Sequence, residues 1–196
     1  MLNSRWPERA KVTVYHPETD VQRIMIVMGD NRVGKSTFLE NLDTKGTSSK
    51  VRSFGLQYSY AEMIYMNQNI VANYYEVSGG LKSCHLMQYP INSTNIEDAS
   101  VFVLIDCSSL ENAYNHLEQW LPAIYEELEK KAQSLSKEGK RDLVDKLRAR
   151  RIEKLKGCGD FKSEKDYKLT LIPLTIVAHK YDLYEANEPY FDFKLG

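Results

Sequence analysis

Arg23-Ile24-Met25-Ile26-Val27-Met28-Gly29-Asp30-Asn31-Arg32-Val33-Gly34-Lys35-Ser36-Thr37-Phe38-Leu39 reads as strand, turn and helix in succession. After Arg23, Ile24 to Met28 form an unbroken apolar run, the pattern of a parallel strand buried on both faces. Gly29 to Ser36 then fits G-x-x-x-x-G-K-[ST]. The spacing has a physical reason. Glycines let the backbone wrap a phosphate with its N–H groups pointing inward, and a lysine reaches the β- and γ-phosphates as a point charge. A hydroxyl in the next position ligates Mg²⁺, and the following helix adds its positive end. The candidate phosphate-binding residues are therefore Gly29, Asp30, Asn31, Arg32, Val33, Gly34, Lys35, Ser36 and Thr37.

Two more features are expected if the nucleotide carries guanine. One is an acidic residue near the loop in the form D-x-x-G. The chain offers Glu76-Val77-Ser78-Gly79, so Glu76 joins Ser36 as a candidate Mg²⁺ contact, with Asp106 as a competitor. The other is N/T-K-x-D after a buried strand. His179-Lys180-Tyr181-Asp182 keeps the lysine and the aspartate, making Lys180 and Asp182 the candidate guanine contacts, with histidine in place of asparagine. The position that carries a water-orienting glutamine in Ras-type GTPases is Gly80. In the polar loop from Asp43 to Ser53, Thr44, Thr47, Ser48 and Ser49 are available as switch residues.

Outward from these motifs the chain keeps alternating strands and helices. Lys11–Tyr15 suggests a short strand inside a loose N-terminal segment, residues 1–20. Phe54–Tyr65 and Asn69–Val77 suggest an antiparallel hairpin, and Val101–Ile105 another buried strand. Leu117, Leu121, Ile124 and Leu128 mark one apolar helix stripe, which Pro122 should kink or restart. Leu169–Val177 reads as the last strand. The sum is an α/β fold, a mainly parallel sheet flanked by helices, over 21–196 with a helical insertion at about 109–166.

Composition bounds the function. The chain has 196 residues, 26 basic against 27 acidic, so no general basic field marks a nucleic-acid binder. Its longest clean apolar run is five residues, far short of the roughly 20 that span a membrane. Three separated cysteines fit neither a disulfide framework nor a zinc site. Residues 137–156 hold nine Lys/Arg against four Asp/Glu, a basic helix of open purpose.

Four of these stretches, taken in order, resemble the light intermediate chain of cytoplasmic dynein 2, the motor of retrograde intraflagellar transport. That family tends to read W-E-L-G-G-G where this chain has Tyr75-Glu76-Val77-Ser78-Gly79-Gly80. It reads S-K-Y-D-V-F where this chain has His179-Lys180-Tyr181-Asp182-Leu183-Tyr184, and Leu56-Gln57-Tyr58-Ser59-Tyr60 is similar to its L-E-Y-x-Y strand. The helical stretch between Asp106 and Pro173 falls where the family has one. The resemblance implies a Ras-like P-loop domain that binds the dynein 2 heavy chain and works beside its other subunits and the transport machinery. It implies a non-catalytic or weakly catalytic subunit of the cytoplasm and of the cilium or flagellum, from basal body to axoneme. GTP or GDP with Mg²⁺ is the implied nucleotide, held without being required. Only 14 residues follow Asp182 (196 minus 182), too few for the remaining strand and helix of a Ras-like domain, so it is expected to be C-terminally incomplete. The rival readings are an active small GTPase switch, and a P-loop kinase or ATPase with Arg141, Arg148, Arg150 and Arg151 as a phosphate lid.

Overall fold

A computed structural model describes residues 21–42, 55–65, 68–157, 163 and 167–183. The expected strand at Lys11–Tyr15 and the loop hydroxyls at Thr44, Thr47, Ser48 and Ser49 lie outside the described residues. Five strands form one sheet: β1 (Val21–Gly29), β2 (Leu56–Tyr65), β3 (Gln68–Val77), β4 (Ala99–Asp106) and β5 (Leu174–His179). Their spatial order is β2-β3-β1-β4-β5. β2 and β3 pair antiparallel with Tyr65 opposite Gln68, and every other pairing is parallel.

The central place of β1 explains its apolar run. Ile24, Ile26 and Met28 point into the larger core cluster, while Val27 points into the smaller one on the opposite face. A strand buried on both sides has no polar face to show. The smaller cluster lies under α1 (Lys35–Leu42), where Leu39 and Val33 meet Ala72, Tyr74 and Leu104. The larger cluster lies under α2 (Leu110–Lys137) and two 3₁₀ segments, Gly80–Gln88 and Ile96–Asp98.

The expected insertion is a helix pair, α2 and α3 (Arg141–Lys156), joined through Gly139 in the left-handed region at φ 77°. α2 neither ends nor restarts at Pro122, which lies inside one continuous helix. Its buried stripe is Ala113, Trp120, Ile124, Leu128, Ala132 and Leu135, with Leu117 at the margin. Leu121 lies off this stripe and is only half-buried, because a 3.6-residue period brings Trp120 onto the line through Ile124.

The last strand differs most from expectation. It begins at Leu174, not Leu169. Pro173 has no N–H to give a ladder, yet its carbonyl still accepts from the Val101 N–H at 2.8 Å. Thr170, Leu171 and Ile172 are apolar or small because they are buried beneath the helices, not because they pair. β5 is the sheet edge among the described residues, and Ile176 there is 49% exposed.

The α2 register gives a stability test. Trp120→Ala removes a side chain that is 1% exposed and should lower unfolding free energy by about 3–5 kcal/mol. Leu121→Ala should cost about 1 kcal/mol. Urea denaturation of both variants checks the order, and equal losses would mean that the helix is rotated from its described position.

Candidate nucleotide site

The site forms where β1 stops. Gly29 sits at φ 143°, and a Cβ on it would stand 2.5 Å from the Leu104 carbonyl of β4. Glycine is required there so that the central strand can turn away against its neighbour. Gly34 has φ 103°, and a Cβ on it would meet the His179 ring at 2.6 Å. The loop therefore turns through two places where only hydrogen fits. The Phe38 N–H donates to the Gly34 carbonyl at 2.8 Å and starts α1.

The charged groups are held by the loop itself. Lys35 is 6% exposed, and its ammonium donates to the carbonyls of Gly29 at 3.0 Å and Asp30 at 2.8 Å. Burial lowers its pKa, while the carboxylates of Glu76 and Asp30 act against that shift. Ser36 Oγ donates to Glu76 Oε1 at 2.8 Å, and Glu76 is 7% exposed at the end of β3. A cavity of about 260 Å³ opens beside this pair, lined in part by Leu39, Gln57 and Tyr58.

Asp106 has different work, so of the two candidate carboxylates only Glu76 faces the Ser36 hydroxyl. Asp106 accepts from Lys180 Nζ at 2.5 Å and from the backbone N–H and hydroxyl of Ser108 at 3.0 and 2.7 Å. Burial pushes its carboxyl up, but the Lys180 and Ser108 hydrogen bonds outweigh that and hold it at about 2. Lys180 Nζ also donates to the Arg32 carbonyl at 3.0 Å. Both residues adopt left-handed backbone, Arg32 at φ 64° and Lys180 at φ 59°. Strained φ values of this kind persist where the surroundings fix them, and here one ammonium ties the two together. Lys180 thus lies against the loop that follows β1.

Asp182 is exposed on the helical turn that follows. His179, in the asparagine position, packs its ring on Gly34, and its Nδ1 is buried without a hydrogen-bond partner among the described residues. His116 of α2 is a member of the site that the motifs did not contain. Its Nδ1 is 3.2 Å from Asp30 Oδ2.

The arginine lid is not formed. Arg148 pairs with Glu129 of α2 at 3.0 Å, and Arg141 faces Asp145 on its own helix at 3.9 Å. Arg150 shares a cavity with Arg23, Asp98, Ala99 and Pro173, at the end of the sheet where β1 and β4 begin. Lys146 of α3 pairs with Glu97 at 3.0 Å, so the charges of α3 are met by α2, by the Ile96–Asp98 segment and by α3 itself.

The donor set fits a phosphate group: glycines that a Cβ would block, a buried ammonium, and a hydroxyl beside a carboxylate. Among the described residues no three His, Cys, Asp or Glu side chains are grouped to hold a metal ion by themselves.

A mostly parallel sheet with its phosphate loop between the central strand and the first helix is the Ras-like arrangement of the P-loop NTPase fold. The chain belongs to the dynein light intermediate chain family, whose model matches residues 17–163. It is 29% identical over 131 residues to cytoplasmic dynein 1 light intermediate chain 1 of Dictyostelium discoideum, covering 64% of this chain and 26% of that one. It is 24% identical over 166 residues to cytoplasmic dynein 2 light intermediate chain 1 of Danio rerio, covering 84% of this chain and 45% of that one. The matched part of this chain thus spans less than half the length of either relative.

The Asp106–Lys180 pair has a pH signature. A depressed carboxyl stabilises the fold above its unfolded value, near 3.8, and loses that contribution as pH falls toward about 2. With both side chains about a quarter exposed, Asp106→Asn should lose about 1 kcal/mol at neutral pH. Urea midpoints of the two proteins should converge as pH falls from about 5 to about 2, through the folded value. Divergence in acid would show that the pair does not carry this stability.

Proposed function

We propose that this chain is a dynein light intermediate chain subunit that uses its Ras-like domain as a docking body for a dynein heavy chain and holds guanine nucleotide with Mg²⁺ without turning it over. The observation that carries the reading is an intact phosphate cradle in a light intermediate chain sequence whose Gly80 supplies no side chain to orient water. Lys35 would meet the phosphates, Ser36 with Glu76 would hold the Mg²⁺ shell, and Lys180 with Asp182 would face the base. When bound, the ion would supply charge neutralisation between phosphates. Glu76 is longer by a methylene than aspartate, which displaces its carboxylate from the position a water relay needs.

The finer assignment is to dynein 2, with intraflagellar transport as the process and the cytoplasm and cilium as the place. It is supported by the Tyr75–Gly80 and His179–Tyr184 stretches and by the longer alignment with the dynein 2 relative. The dynein 1 relative is the more identical of the two, so the heavy-chain type is the point to test. Purified heavy-chain tails of dynein 1 and dynein 2 should be offered to the full chain side by side, with recovery expected on the dynein 2 tail. Recovery on the dynein 1 tail alone would reassign the motor, and recovery on neither would remove the subunit reading.

Turnover provides a separate check. Positioning and charge stabilisation supply most phosphoryl-transfer catalysis. Hydrolysis should not exceed the unassisted rate of a Ras-type GTPase, about 10⁻⁴ per second. Phosphate release near one per second would make the active-switch reading the better one. Lys35→Ala should leave heavy-chain recovery nearly unchanged so long as circular dichroism shows a folded protein.

A further inference from the structure

We propose that the groove between α2 and α3 is the docking site for an α-helix with an acidic face, carried by the heavy-chain tail. The inference rests on the docking reading above and names the face that docking uses. Two cavities, of about 660 and 490 Å³, lie along the helix pair and share Glu129, Gln133 and Arg148. On α2 they run from Pro122 to Lys137, a separation of 15 residues (137 minus 122). That is about 22 Å of helix, room for about four turns of a partner helix laid along it. No residue of the candidate nucleotide site lines either cavity, so a helix seated there leaves the phosphate loop open.

Floor and walls differ in kind. Leu128, Ala132 and Val144 form a floor that is already buried, and Leu171 continues it beneath the segment before β5. The floor supplies shape more than apolar area, so the attraction has to come from charge. Residues 137–156 carry nine Lys/Arg against four Asp/Glu. Glu97 and Glu129, from outside that stretch, pair with Lys146 and Arg148, which leaves a surplus of three positive charges (nine minus six). Lys137 is exposed at one end of the groove. Lys168 is exposed at the other, over the Tyr125 ring at 5.0 Å. Arg151 follows Arg148 by three residues, on the same side of α3. Its buried Nε has no hydrogen-bond partner among the described residues.

Carboxylates are set among these cations, with Glu126, Glu129 and Asp145 all lining the groove. A phosphate polymer or an anionic bilayer would be pressed against them, and like charges in contact are costly. A helix with spaced carboxylates can instead seat each one beside a cation and step past the groove's own acids. The chain as a whole, at net −1, provides no long-range field to draw in a polyanion.

Calorimetric titration of the full chain with the purified heavy-chain tail that it recovers tests the proposal through the sign of a charge. Gln133 is exposed in the wall that both cavities share, where glutamate and lysine fit alike. Gln133→Glu should weaken binding by at least about threefold, and Gln133→Lys should hold or tighten it. Gln133→Glu combined with Arg148→Glu should lower affinity by at least about tenfold, with a shallower further loss as salt is raised. Circular dichroism checks that each variant is folded, and the two Gln133 variants decide the matter if the double variant is not. Equal affinity in the parent and both Gln133 variants, or the same loss in both variants, would overturn the inference and leave the docking reading standing. A Gln133 difference seen on phosphatidylserine vesicles and not on the tail would assign the cations to a lipid surface and overturn it as well. No binding of either heavy-chain tail by the parent protein would overturn both.

Discussion

A buried ammonium with no aqueous partner is expensive unless the protein surrounds it with oxygen. The Lys35 ammonium meets that constraint with the carbonyls of Gly29 and Asp30, drawn from the turn it would use to hold phosphate. The turn can offer those carbonyls only because Gly29 lets β1 leave the sheet tight against Leu104. β1 in turn holds that position because β3 and β4 flank it and a helical layer covers each face. The lysine therefore closes the loop on itself, and the loop's geometry is satisfied from within. The shape of the turn does not wait for a ligand.

The same economy appears in the second lysine. Lys180 joins the Arg32 carbonyl to the Asp106 carboxylate and so connects the phosphate loop, the end of β4 and the turn after β5. Three chain segments far apart in sequence share one cation. At the other end of the sheet, Arg23 pairs with Asp98 and Lys146 with Glu97, outside the core and open to solvent. Exposed pairs of that kind contribute little each, so the Lys146 pair orients α3 more than it holds it.

Much of the fold was readable because its signals are local. The β1 run, the glycine turn and the start of α1 each follow from residues next to one another, and the alternation in Leu56–Tyr60 reports a half-buried hairpin. The 3₁₀ segment at Gly80–Gln88 was not legible, since Cys84 and Met87 alone make no helical stripe. The start of β5 was obscured because burial and strand pairing both select residues such as Leu171 and Ile172. In the site, the phosphate loop was complete in the sequence. Its supports were not: Asp106 and Lys180 meet only because β4 lies beside β5, and a lone histidine such as His116 carries no spacing that points to Asp30. Pairings fixed by sheet order leave no mark along the chain.

The central position of β1 also governs the order in which this protein can assemble. Val21 pairs with Ile70, 49 positions later (70 minus 21), and Ile24 with Ala99, 75 positions later (99 minus 24). Both partners of the strand that ends in the phosphate loop leave the ribosome well after it does. Until β3 and β4 arrive, the run from Ile24 to Met28 has nothing to bury it, while the β2–β3 hairpin can close on its own. Non-local parallel pairing of this kind folds slowly and exposes apolar strand during synthesis. The innermost strand is thus a late one to be secured, and the nascent chain's exposure to chaperones and to mispairing is concentrated on the residues that the finished protein hides best.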